Sequence, residues 1–179
     1  MSDSIKVRKR NGRGIEPLNL EKMHKMVEEA TTGLAGVSAS QVEINSGIQF
    51  YDGITTDEIQ SILIRSASDL ISLDNPNYQY VAARLLLFGL RKNLYRRIRE
   101  MPPLIDHINK CVDNGVYDKE ILDNYTEEEL LTAEKFIDHD RDLLFTYAGL
   151  RQVVDKYLVQ DRRTGKVYES PQFMYIMIA

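Results

Sequence analysis

Apolar residues recur along most of this chain at intervals of three and four, the spacing of helices, and the exceptions come first. Ile5-Lys6-Val7-Arg8-Lys9-Arg10 alternates as a strand does, Asn11-Gly12 signals a hairpin turn, and the return strand falls at about Gly14 to Leu18. Asn19 is placed to cap a first helix with Leu20, Met23, His24, Val27, Ala30 and Leu34 on one face and Gly33 and Gly36 at its end. Ser40 and Glu43 predict a capping box for a short second helix. Ile48-Gln49-Phe50-Tyr51 is aromatic and apolar enough to be a third strand before the Asp52-Gly53 turn.

The clearest start signal belongs to a third helix: Thr55 as cap, Glu58 three residues on, and Ile54 with Ile59 as a hydrophobic staple. It must stop before Asn75-Pro76. A fourth helix runs from about Asn77 to Tyr95, with Tyr78, Val81, Ala82, Leu85 and Gly89 on one face and cations at its carboxyl end. Met101-Pro102-Pro103 then punctuates the chain, which predicts one domain over residues 1–99 and a second segment over 100–179. In that segment short helices are expected at Leu104 to Asn114, Lys119 to Asn124 and from Thr126 to about Ile137. A longer one is expected from Asp140 to Tyr157, and a hairpin turning over Asp161 to Gly165. The final stretch, Gln172 to Ala179, is almost wholly apolar and ends in mid-pattern, so the chain is expected to be cut from something longer.

Composition narrows the picture without deciding it. With 43% hydrophobic and 28% charged residues among 179, the chain is an ordinary globular one. It has no apolar run long enough for a membrane span and no signal-peptide core, so a cytoplasmic home is expected. The net charge of −4 is uneven: residues 1–99 carry 14 Lys and Arg against 11 Asp and Glu, whereas 100–179 carry 9 against 16. The cationic first part suits an anionic ligand, although a solvated basic face is the commoner cause of such a bias. Cys111 is the one cysteine, which excludes dithiol chemistry and a thiolate metal site within the chain.

Val7-Arg8-Lys9-Arg10-Asn11-Gly12, followed by Glu16, Asn19 and Lys22, resembles the opening of the ATP-cone domain found at the amino terminus of many ribonucleotide reductase large subunits. Asp52 to Ile59 and Asn75 to Leu85 resemble the class I version of that domain. Ile137 to Asp142, Lys156-Tyr157-Leu158 and Tyr168 to Phe173 resemble the helical segment that opens the family's catalytic domain. The resemblance runs through almost the whole chain in the family's order.

The fold it implies is mainly α: a four-helix bundle capped by a three-stranded β-sheet, then the helical start of the catalytic domain with one β-hairpin. It also implies an allosteric site for ATP or dATP, with Mg2+ accompanying the phosphates, on Val7, Lys9, Arg10, Glu16, Asn19, Lys22, Thr56 and Lys92. The chemistry of these residues suits the ligand. Lys9, Arg10 and Lys92 are cations for a triphosphate, Thr56 begins a helix whose amino terminus attracts anions, and Glu16 and Asn19 can read an adenine edge beside Val7. The bland alternative is that the cations are solvated, Asn19 and Thr56 merely start helices, and Glu16 pairs with a lysine. Phe88 and Lys25 fall where some family members hold a second nucleotide, but Phe88 is equally placed for core packing.

The family's reaction needs a thiyl-forming cysteine and a reducing pair, so no catalysis is expected from this chain itself. The implied partners are the remainder of a large subunit, a radical-generating small subunit and further copies in a homo-oligomer, with no nucleic acid and no membrane. Two other functions fit the bulk properties: a stand-alone nucleotide-sensing regulator, and a basic-faced helical adaptor for nucleic acid. The first lacks the cysteines of a zinc ribbon, and the second would show salt-sensitive binding without nucleotide preference.

Overall fold

The computed structural model describes residues 5–9 and 14–179, so Arg10 and the Asn11-Gly12 turn lie outside the described residues. Packing divides the chain into two compact units. One holds the described residues up to Gly89 together with Phe145–Leu150; the other holds Leu90–Leu144 and Arg151–Ala179. No helix among the described residues is long and apolar enough to cross a membrane.

The first unit is a small sheet and four helices. Strands β1 (Lys6–Arg8), β2 (Ile15–Pro17) and β3 (Ile54–Thr55) lie in the order β2-β1-β3, antiparallel on one side of β1 and parallel on the other. Helix α1 (Leu20–Thr31) starts at Asn19, whose Oδ1 accepts from the Lys22 backbone N–H at 2.8 Å, and the chain turns away at Gly33 with a positive φ of 74°. Its buried residues are Met26, Val27 and Ala30, while Leu20 is 61% exposed, so the expected apolar face is rotated toward Met26. Helix α2 (Ala39–Gly47) is capped by Ser38 rather than Ser40. Tyr78 fixes that start, because its hydroxyl accepts from the Ser38 N–H at 3.0 Å and donates to Gln41 at 2.5 Å.

The third strand is displaced from its expected place. Residues 48–50 continue the turn that ends α2, with Gln49 and Phe50 donating to the Ser46 and Gly47 carbonyls, and Ile48 is 83% exposed. The strand comes after Gly53, whose N–H donates to the Lys6 carbonyl and so delivers Ile54 to β1. Helix α3 (Thr56–Asp69) carries the capping box that Thr55 and Glu58 predict. Helix α4 (Tyr78–Tyr95) is buried over most of its circumference as far as Arg91. Val27, Val42, Ile54, Leu63, Val81 and Leu85 are fully enclosed, and the Gln60 amide, also buried, donates to the Leu85 carbonyl at 2.7 Å.

In the second unit α5 (Leu104–Asp113), α6 (Glu120–Asn124), α7 (Glu127–Glu134) and α9 (Pro171–Ile178) gather around Leu104, Ile108, Leu130 and Phe173. The single helix expected from Asp140 to Tyr157 is broken into a 3-10 segment His139–Leu144, helix α8 (Tyr147–Gln152) and a π turn Val153–Tyr157. Thr146 explains the break: its Oγ1 accepts from the Gly149 N–H at 3.2 Å and starts a new helix. The hairpin strands β4 (Gln160–Asp161) and β5 (Lys166–Val167) flank the expected turn, which Asp161 closes by accepting from the Arg163 N–H at 2.9 Å.

Candidate functional site

β1 positions several of the nominated residues without bringing them all together. Its Val7 pairs with Glu16 on β2 and with Ile54 on β3, and Arg8 pairs with Thr55. Lys9 therefore follows Arg8 out of the strand as Thr56 follows Thr55 into α3. Val7 is buried in the sheet and Lys9 is anchored by its own N–H to the Gly14 carbonyl at 3.2 Å. At the other end of the strands Leu18 donates to the Ile5 carbonyl at 2.8 Å, and Asn19 and Lys22 begin α1 there. Three strand residues span roughly 10 Å. The cation and hydroxyl of Lys9 and Thr56 thus stand at one end of the sheet, and the amide of Asn19 at the other.

The start of α3 is held firmly. Glu58 Oε2 accepts from the Thr55 N–H at 2.8 Å and its hydroxyl at 2.7 Å, while Oε1 accepts from the Tyr51 hydroxyl at 2.8 Å. These bonds, those from Thr55 first, hold the Glu58 carboxyl below its usual pKa. Thr56 Oγ1, one residue inside the helix, is buried without a hydrogen-bond partner. A buried hydroxyl left unpaired costs roughly 1–3 kcal/mol, so such groups are rare unless something else satisfies them.

Two nominated residues are otherwise engaged. Lys9 Nζ lies 2.6 Å from Glu16 Oε2, with side chains 43% and 46% exposed. Asn19 Oδ1 serves the cap, which leaves its amide NH2 as the group able to donate to a base. Lys92 sits in the last turn of α4, past Gly89, and so belongs to the second unit. Phe88 is buried in the core, and Lys25 is 2.6 Å from Glu21.

Residues 5–93 match the family model of the ATP cone domain. They form an ATP-cone domain, a nucleotide-binding fold. All 179 residues align at 51% identity with ribonucleoside-diphosphate reductase 1 subunit alpha of Escherichia coli, and at 49% with the alpha subunit of Haemophilus influenzae. The alpha subunit of Enterobacteria phage T4 is 45% identical over 156 residues, 86% of this chain and 21% of that protein. Over its full length the chain resembles the amino-terminal region of these subunits, and it spans about a quarter of their length, 23% for the first two.

Sequence reasoning missed one feature of the cone. A largely apolar cleft of about 610 Å³ lies over α1 and α2, lined by Ile5, Leu18, Met23 and Ile44 with His24 and Glu43 among its polar groups, and none of the nominated residues lines it. Only the exposure of Leu20 and Ile44 reveals it, and the periodicity of α1 assigned Leu20 to the core.

Proposed function

We propose that this chain is the regulatory amino-terminal part of a ribonucleoside-diphosphate reductase large subunit, binding ATP or dATP in its cone as an overall-activity effector. The buried, unpartnered hydroxyl of Thr56 carries the reading: it stands at the amino terminus of α3, next in register to Lys9, where a phosphate oxygen would satisfy it. Glu16 and Asn19 read the base beside Val7, and Lys9, Arg10, Lys22 and Lys92 contribute charge, Arg10 and Lys92 on the strength of the family resemblance alone. Mg2+ accompanies the triphosphate, held by the phosphates themselves.

By the family resemblance the regulatory domain runs to near residue 99 and 100–179 open the catalytic domain, whereas packing alone divides the chain after Gly89. The thiols of the reductase reaction lie elsewhere in the large subunit, since Cys111 is the one cysteine here and has no partner for a reducing pair. The partners are that remainder, a radical-generating small subunit and further large subunits, in the cytoplasm. ATP and dATP act oppositely only by binding two states of the assembly unequally.

Calorimetric titration of the chain with ATP and dATP tests the reading, repeated with K9A and T56V. Saturable binding weakened by both substitutions is expected. Absent binding, or binding indifferent to both, sinks it.

A further inference from the structure

In the second unit the end of α4, the α5 helix and β5 surround a cleft of about 340 Å³ that contains none of the eight residues nominated for the cone nucleotide. Arg96, Lys110 and Lys166 line it together with the amides Asn93 and Asn114, and no carboxylate is among the lining residues. In a chain of net charge −4, three cations from three separate segments thus share one concave surface.

The two lysines are placed rather than loose. Lys110 Nζ donates to the Leu94 carbonyl at 3.1 Å and lies 6.0 Å from the Tyr95 ring centroid, which leaves two of its three N–H groups to donate elsewhere. Lys166 Nζ sits 4.7 Å over the ring of Tyr168, another lining residue. Arg96 adopts a positive φ of 64°, a conformation in which glycine or asparagine is the inexpensive choice. Retaining a long cationic side chain at a strained lining position is the kind of local cost that accompanies function.

A concave cluster of like charge concentrates counter-ions, and the volume suits a small ligand. We propose that this cleft is a second anion site, binding a phosphorylated small molecule through Arg96, Lys110 and Lys166 with its organic part against Tyr168. A bare phosphate shares the recognition chemistry, and the two sources separate by affinity.

Titration of the 15N-labelled chain with pyrophosphate, and separately with AMP, tests the site by nuclear magnetic resonance. Saturable shifts at Asn93, Lys110, Asn114 and Tyr168 are expected with at least one probe. Tighter binding of AMP identifies a nucleotide-like ligand, and tighter binding of pyrophosphate an inorganic one. Lys110→Ala with Lys166→Ala should weaken binding about a hundredfold, since two charge-assisted contacts go, whereas arginine at both positions should retain it. Circular dichroism confirms that the variants are folded. Shifts absent with both probes, or unaltered by the double alanine variant, overturn the proposal.

Discussion

The ammonium of Lys9 lies 2.6 Å from the carboxylate of Glu16 across adjacent strands of the cone sheet. Both side chains are nearly half exposed, so the pair contributes at most about 1 kcal/mol and is easily parted by a ligand. Lys9→Ala is therefore expected to leave the thermal midpoint almost unchanged while weakening ATP binding about tenfold, the worth of one charge-assisted contact. A large loss of stability without loss of affinity would show that Lys9 serves the fold instead.

Thr56 should behave in the opposite sense from an ordinary structural hydroxyl. Its Oγ1 is buried and unpartnered, so Thr56→Val removes a desolvated group and keeps the shape. Stability of the ligand-free chain should hold or rise by up to about 1 kcal/mol, while ATP affinity falls. Denaturant unfolding and calorimetry on the same variant measure both, and a destabilised variant with intact affinity contradicts the role.

His24 joins α1 to α2, with Nδ1 2.8 Å from Glu43 Oε1 and Nε2 3.2 Å from Glu28 Oε1. The Glu43 hydrogen bond, then its charge, raise the His24 pKa, with Glu28 adding to the rise. A pKa raised on folding stabilises below the unfolded value of about 6.5 and loses that contribution as pH rises through the folded value. The stability difference between wild type and H24N should accordingly shrink on going from pH 6 to 8, and E43Q should bring the His24 titration down toward 6.5. A His24 resonance titrating below 6.5 in the wild type excludes this link.

Two histidines of the second unit should respond to acid in the opposite sense. His107 is stacked on Phe173 at 4.2 Å and hydrogen-bonded to Tyr117, whose hydroxyl donates to the buried Glu169 at 2.5 Å. Burial, then the charge of Lys110, lower the His107 pKa to about 4; burial and then Arg91 do the same for His139. Groups with depressed pKa values stabilise above the unfolded value and lose that contribution as pH falls through the folded one. The histidines' share of the unfolding free energy should fall between about pH 6.5 and about pH 4, opposed by Asp142 and Glu169, whose pKa values burial raises, and both histidines should titrate near the lower limit. Titration of either near 6.5 contradicts their burial.

Local relationships were legible in the sequence because they depend on residues three or four apart. Asn19 capping Lys22, the Thr55–Glu58 box, the helix start at Thr126, the turn at Asp161 and the long apolar helix from Tyr78 all appear where spacing places them. Where other contacts decided, the spacing misled. Ser38 rather than Ser40 caps α2 because a tyrosine 40 positions away meets it, and the Asp140–Tyr157 pattern is broken by a hydroxyl that its periodicity ignores.

The nominated site divides in the same way. Its residue types were readable one by one from their chemistry and from the family resemblance. Their meeting depends on β1 pairing in parallel with β3, between Val7 and Ile54, 47 positions apart. That pairing sets Thr56 beside Lys9, and the packing that follows leaves one hydroxyl buried without a partner. The sequence by itself determined most of the helices, the caps at Asn19 and Thr55 and the charges available to a nucleotide, because those are local properties. Tertiary structure alone decided which strand completes the sheet, which charges neutralise one another and which hydroxyl is buried without a protein partner, because burial and pairing belong to residues that meet only when the chain folds.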